Sequence, residues 1–93
     1  MQKYMVSHQL PSGLTREQIC QVAEASQQGP EVLGYRSFIN LSEGKAFCVL
    51  EADSREALAA WFDKLELPYD DIIPVEFEGE RGVIEEVMAL STT

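Results

Sequence analysis

Hydrophobic and polar residues alternate along the start of the chain. Within residues 3–10, positions 4, 6, 8 and 10 fall on one side and positions 5, 7 and 9 on the other. A period of two is typical of a β-strand. Residues 45–52 are almost continuously apolar, which favours a strand buried inside a sheet. We therefore predict that these two segments are neighbouring inner strands.

Two helices are predicted between the strands. Thr15, with Gln18 three residues later, is a capping-box pattern that marks a helix N-terminus. The buried face predicted for this first helix is only weakly apolar and consists of Ile19, Val22, Ala23 and Ser26. The second helix begins after Asp53 or Ser54 and stops before Pro68. Its inward residues have the i, i+3, i+4, i+7 spacing of an amphipathic helix: Leu58, Trp61, Phe62 and Leu65.

Two further strands complete the predicted sheet. Residues 34–40 form a strand that turns through residues 42–44 into the strand of residues 45–52, because Gly44 can adopt the positive φ of a tight hairpin. Residues 72–77 form the last strand. Pro74 places that strand at an edge, since proline donates no ladder hydrogen bond.

The predicted element order is β-α-β-β-α-β over a domain of residues 1–81. The connection at residues 41–44 is too short for a crossover, so these strands must be antiparallel. The order and the similar starts of the two halves predict an α+β, ferredoxin-like sandwich: a four-stranded antiparallel sheet with two helices on one face. Residues 82–93 are predicted as a C-terminal tail, with a short helix over residues 83–90.

The charge of the chain is strongly acidic. It has 16 acidic and 7 basic residues and a net charge of −9. Such a surface repels phosphate, so we predict neither nucleic acid nor a membrane as a partner. Cys20 and Cys48 have neither CxxC nor zinc-site spacing and are predicted to be reduced thiols of a cytoplasmic protein. No segment resembles a signal peptide.

His8 is the only histidine in the sequence and the first candidate for chemistry. It falls on the same side of its strand as Tyr4 and Val6. Two interpretations stay open: a hydrogen-bonded histidine at the end of the sheet, or a metal ligand or proton-transfer group. One histidine completes a transition-metal site only with carboxylates, a thiolate, waters or a second chain.

Glu51 is the candidate partner of His8. A carboxylate in an otherwise apolar strand is costly unless it is paired, and the repeat between the two halves gives Glu51 the position of His8. The strand register decides whether the two residues meet. Cys48 has the opposite parity to Glu51, which argues against a cluster of all three on one subunit.

The chain resembles the small nickel-binding ferredoxin-like proteins. The matching stretches, which together cover most of residues 3–75, are Lys3-Tyr4-Met5 followed by His8, Gly13-Leu14-Thr15, Tyr35, the run from Phe47 to Ala52, and the run from Pro68 to Val75. The resemblance implies a dimeric α+β barrel in which the open sheet faces of two copies pack together. It also implies His8 as a metal-site residue, with Tyr35 and Glu51 as further candidates.

We therefore predict a homodimer that binds a divalent metal, such as nickel, or a small ligand through His8, Glu51 and Tyr35. One alternative is a protein-interaction module that docks through its tail. Another is a cofactor-free enzyme of the dimeric α+β barrel type, with His8 as the base and Tyr35 or Glu51 as the orienting group. The sequence contains no Gly-rich phosphate loop and no Ser/His/Asp order typical of hydrolases.

Overall fold

The computed structural model of the chain describes residues 1–87 and has the predicted α+β architecture. Four strands form one antiparallel sheet in the order second, third, first, fourth, with the predicted inner pair at its centre. This ferredoxin-like arrangement confirms the predicted fold class. The elements are β1 (Gln2–Gln9), α1 (Arg16–Ala25), β2 (Val32–Asn40), β3 (Lys45–Ala52), α2 (Arg55–Lys64), β4 (Asp71–Pro74), β5 (Phe77–Glu80) and β6 (Val83–Glu86).

The core lies between the sheet and the helices. On β1, Tyr4, Val6 and His8 are buried while Met5 between them is exposed, as the alternation predicts. We call the side of the sheet that bears Tyr4, Val6 and His8 the helix face and the opposite side the open face. The main cluster of buried apolar residues on the helix face comprises Tyr4, Val6, Val32, Leu50, Ala52, Leu58, Trp61, Phe62 and Ile72.

The two helices contribute unequally to this core. In α2 the Ser54 hydroxyl accepts the backbone N–H of Ala57 at 3.0 Å and caps the helix, which then buries Leu58, Trp61 and Phe62. In α1 the capping box at Thr15 is present, but none of the helical residues is fully buried. Each helix has 10 residues, and within residues 1–87 no helix is long and apolar enough to cross a membrane.

The last strand of the sheet is shorter than predicted. It ends at Pro74 rather than at Phe77, on an edge of the sheet as the proline indicates. The Val75 N–H still donates to the Lys3 carbonyl at 3.0 Å, and the chain then leaves the sheet. Phe77 belongs to β5.

The predicted helix after residue 82 is wrong for residues 83–86, which form β6 and pair with β5 in a hairpin. Arg81 and Gly82 have φ of 52° and 87°, the positive values of a two-residue turn between antiparallel strands. That turn reverses the chain before a helix can begin. The rest of the predicted helix, beyond residue 87, lies outside the described residues, and the proposed division at residue 81 stays a prediction.

Candidate functional site

The His8 side chain is enclosed between the sheet and α2. It is only 3% exposed. Its Nδ1 lies 2.8 Å from the carbonyl oxygen of Pro68, in the loop that follows α2. The edge-to-face neighbour of the imidazole is the Phe62 ring, with centroids 5.0 Å apart and planes at 77°. These contacts fix the position of the ring.

The hydrogen bond to Pro68 determines which ring nitrogen of His8 carries the proton. A carbonyl oxygen only accepts, so Nδ1 must donate its N–H. Burial lowers the pKa of His8, although the Pro68 carbonyl and the charge of Asp70 act in the opposite direction. The neutral ring then has an unprotonated Nε2, which is buried and has no hydrogen-bond partner among the described residues.

His8 is part of the wall of a cavity of about 610 Å³ between α1 and the sheet. α1 is tied to β2 at its C-terminal end, where the Gly34 N–H donates to the Ser26 carbonyl at 3.2 Å and the Gln27 side chain donates to the Gly34 carbonyl at 2.8 Å. The cavity owes its space to short side chains that line it on both sides. These are Ala23 and Ser26 from the helix side and Ala46 and Cys48 from β3.

The remaining wall of the cavity is mostly apolar. Leu14, Ile19 and Val22 line it from the α1 side, and Trp61 and Phe62 line it from α2. Burial raises the pKa of the Cys48 thiol, so this group is a protonated thiol and a poor nucleophile at neutral pH. The cavity therefore suits the binding of an apolar molecule better than nucleophilic chemistry.

A second group of polar side chains lies on the open face. A bulge between Gly34 and Arg36 interrupts the pairing of β2 with β3. The Tyr35 ring there lies beneath the Lys3 ammonium, whose Nζ is 4.2 Å from the ring centroid. Lys3 also forms a 2.9 Å ion pair with Glu78 of β5, and this bond raises the pKa of Lys3.

Glu51 belongs to this open-face group because it pairs with Lys3 across β1 and β3. Partial burial and the adjacent Glu51 carboxylate raise the pKa of the Tyr35 phenol. Glu51 and Tyr35 are thus neighbours, as the predicted site requires.

His8 is not part of that group, so the three predicted ligands do not form one site in the protomer. His8 pairs with Ala46, whereas Glu51 pairs with Lys3. Ala46 and Glu51 are five residues apart on one strand, and an odd separation places side chains on opposite faces. The repeat between the two halves gives Glu51 the position of His8 in the sequence, but the observed register puts the two side chains on opposite faces.

Nickel is the metal that the resemblance implies, and the residues of one protomer do not fit it. Nickel favours imidazole ligands, and the single imidazole is enclosed on the helix face. On the open face, Glu51 and Tyr35 offer only oxygen donors beside the competing ammonium of Lys3. Within residues 1–87, no three His, Cys, Asp or Glu side chains converge on a common point.

Sequence reasoning missed the cavity and its link to His8. The parity of β3 does place Cys48 and Ala46 on the same face, so their common orientation was available from the sequence. The partner of Nδ1, in contrast, is a backbone carbonyl 60 residues away. No pattern in the sequence marks that contact.

Comparison with known proteins bears on the family and the fold. Residues 4–75, more than half of the 93-residue chain, match the family model described as nickel responsive protein SCO4226-like. The crystal structure of SCO4226 from Streptomyces coelicolor A3(2) is similar with a TM-score of 0.70 and 21% identity, over 83% of this chain and 99% of that one. Comparison with curated protein sequences gives no match. The chain therefore belongs to the SCO4226-like family of nickel-responsive proteins.

Proposed function

We propose that this protein is a homodimeric binding protein that holds a small, largely apolar molecule in the cavity beneath α1, with Nε2 of His8 as its polar anchor. The observation that carries the proposal is that His8, a residue of the cavity wall, has a buried Nε2 with no hydrogen-bond partner within residues 1–87. Leaving a buried polar atom unsatisfied costs about 1–3 kcal/mol, and a ligand that bonds to it recovers that cost. The volume of about 610 Å³ lies within the range of roughly 300–1,000 Å³ usual for small-molecule sites.

A substitution that fills the cavity tests this proposal. Ala46 is buried, lines the cavity and pairs with His8 across the sheet. We expect Ala46→Leu to weaken binding of 2-naphthol, an aromatic probe of suitable size, by about tenfold or more, because the added isobutyl group takes up ligand space. The measurement is calorimetric titration combined with chemical-shift mapping of Val22 and Phe62.

Gln9→Leu is the matched control for the filling variant. Gln9 follows His8 directly, is exposed and points to the opposite face of the strand. This variant should bind 2-naphthol as the unchanged protein does. Equal affinity in the Ala46→Leu variant, or shifts confined to residues outside the cavity, would contradict the proposed site.

The homodimer is proposed from the open face of the sheet. Four large apolar side chains there, from all four strands, are between 45% and 59% exposed: Met5, Phe38, Phe47 and Ile73. A contiguous apolar surface of this kind marks an interaction site in soluble proteins. A second copy that packs the same face against it would cover these side chains and give the dimeric α+β barrel. The free state of Cys20 and Cys48 supports the cytoplasmic location that we propose.

Binding of a divalent metal, including nickel, is the second candidate function. The family description favours it, and the adjacent Glu51 and Tyr35 on the open face supply the donors. Because residues 1–87 of one protomer do not bring a complete ligand set together, this function requires donors from the second copy. A metal at this interface would be independent of the cavity on the other face.

Titration with nickel in a calorimeter tests this second candidate. We expect Glu51→Gln to weaken nickel binding by about tenfold, since it removes one charged ligand from each copy. His8→Phe is the control and should leave nickel binding unchanged, because His8 lies on the other face. A loss of nickel binding in the His8 variant alone would instead assign the metal to the imidazole and contradict the open-face site.

A further inference from the structure

We infer that the molecule held beneath α1 is a neutral alcohol or phenol, whose hydroxyl donates a hydrogen bond to Nε2 of His8 and whose remainder is apolar. This inference rests on the proposed binding function and specifies the ligand class of the same cavity. It depends on three features of the site as residues 1–87 form it: the tautomer of His8, the absence of a buried charged side chain from the wall, and the mostly apolar lining.

The tautomer sets the direction of the hydrogen bond. Nδ1 is held at 2.8 Å from the Pro68 carbonyl and must donate to it. The neutral ring has one proton on its nitrogens, so Nε2 presents a lone pair to the ligand. A molecule that only accepts hydrogen bonds, such as a ketone or an ether, would place a second lone pair against this one and leave both unsatisfied.

The charges around the cavity exclude the ionic alternatives. Within residues 1–87, the charged side chains of the wall are Arg36 and Glu66, and both are exposed. A carboxylate beside Nε2 would meet an acceptor with no enclosed cation to compensate it. An ammonium group could donate to Nε2, but it would lose its hydration in a pocket with no enclosed carboxylate. A neutral hydroxyl is free of both penalties.

The lining accounts for the rest of the ligand. Leu14, Ile19 and Val22 on the α1 side and Phe62 and Trp61 on the α2 side all line the cavity. Burying an apolar ring or chain against these side chains removes apolar surface from water, which is favourable.

Among the other polar side chains of the described wall, the buried Ser26 hydroxyl already donates to the Ala23 carbonyl at 2.6 Å and accepts from the Gln27 amide at 3.2 Å. Ser37 and the glutamines of the wall are exposed, and the Cys48 thiol is only a weak donor. One hydroxyl on an apolar body therefore matches the buried, unpaired acceptor of His8 and the mostly apolar surroundings.

Three probes of nearly the same shape test this inference on the full-length chain. They are 2-naphthol, which has a neutral hydroxyl, 2-methoxynaphthalene, which retains the oxygen but lacks the proton, and 2-naphthoate, which is a carboxylate at pH 7. We expect 2-naphthol to bind about tenfold more tightly than 2-methoxynaphthalene, the typical value of one buried hydrogen bond. The carboxylate should bind most weakly. All three affinities are measured in the unchanged protein, so the test does not depend on the folding of a variant.

The His8→Phe variant assigns the preference to the imidazole. The phenylalanine ring keeps the apolar bulk but lacks Nε2. The affinity for 2-naphthol should therefore fall to that for 2-methoxynaphthalene, whereas the affinity for 2-methoxynaphthalene should not change. If no probe binds the unchanged protein, the proposed cavity function fails, and the ligand class fails with it. If the methoxy probe or the carboxylate binds as tightly as 2-naphthol, the cavity stands as a binding site and the inferred ligand class is overturned.

Discussion

Replacement of Phe62 by alanine should remove about 3–5 kcal/mol from the free energy of unfolding, the usual cost of truncating a buried phenylalanine. Phe62 is 1% exposed and contacts the rings of His8, Trp61 and Tyr69 at centroid distances between 5.0 and 5.7 Å. A small domain has only about 5–15 kcal/mol of stability in total. The variant should therefore unfold at a much lower denaturant concentration, as measured by urea titration followed by circular dichroism.

Phe77→Ala is the matched control for this prediction. The same side chain is removed from the β5–β6 hairpin, where Phe77 is 54% exposed. Surface truncations usually change stability by about 0.5 kcal/mol or less. If both variants lost the same stability, the burial of α2 against the helix face would not be the main source of core energy.

Replacement of Phe47 by glutamate should convert the proposed dimer into a monomer. Phe47 lies in the middle of the open face, opposite Ser7 on β1 and Phe38 on β2. A two-fold interface repeats each substitution, so two unpaired carboxylates would be buried in the dimer. Burying such charges costs several kcal/mol, and we expect the dissociation constant to rise by about 100-fold or more.

Sedimentation equilibrium measures this effect directly. Ala60→Glu is the control, because it introduces the same charge at an exposed position of α2, away from the open face. The control should keep the mass of the unchanged protein, whereas Phe47→Glu should have half of it. A monomeric unchanged protein at micromolar concentration, or an intact dimer in the Phe47 variant, would contradict the proposed interface.

Much of the fold follows from local patterns. The alternation in residues 3–10 predicts a half-buried strand through its period of two, and the short apolar run in residues 45–52, which follows a turn at Gly44, predicts a buried strand. The stripe of Leu58, Trp61 and Phe62 predicts α2 for the corresponding reason. These signals are strong where side chains are buried.

The C-terminal hairpin could not be predicted in the same way. Val83 and Ile84 are exposed in the structure, so their spacing does not report burial. Two residues of positive φ decide the local conformation, and one of them is Arg81 rather than a glycine. A turn in which a non-glycine residue has left-handed geometry gives a weak sequence signal.

The site was only partly predictable. The face of His8 follows from the alternation, and the structure does place it with Tyr4 and Val6. The cavity depends on how closely α1 approaches the sheet. That distance is set by the summed volumes of the side chains between the helix and the sheet, and the hydrophobic pattern of the sequence does not report it. The separation of His8 from Glu51 depends on the register between β1 and β3. That register is set jointly by the turn before β3 and by the pairing of the strands.

The proposed binding site depends on the protonation of the His8 ring, and the chain contains only one histidine. A long-range ¹H–¹⁵N correlation spectrum at pH 7 therefore reports His8 without ambiguity of assignment. We expect a protonated Nδ1 and an unprotonated Nε2 in the free protein, with the Nε2 resonance shifting on addition of 2-naphthol. A spectrum with the proton on Nε2 or on both nitrogens, or an Nε2 resonance that 2-naphthol leaves in place, would contradict this expectation.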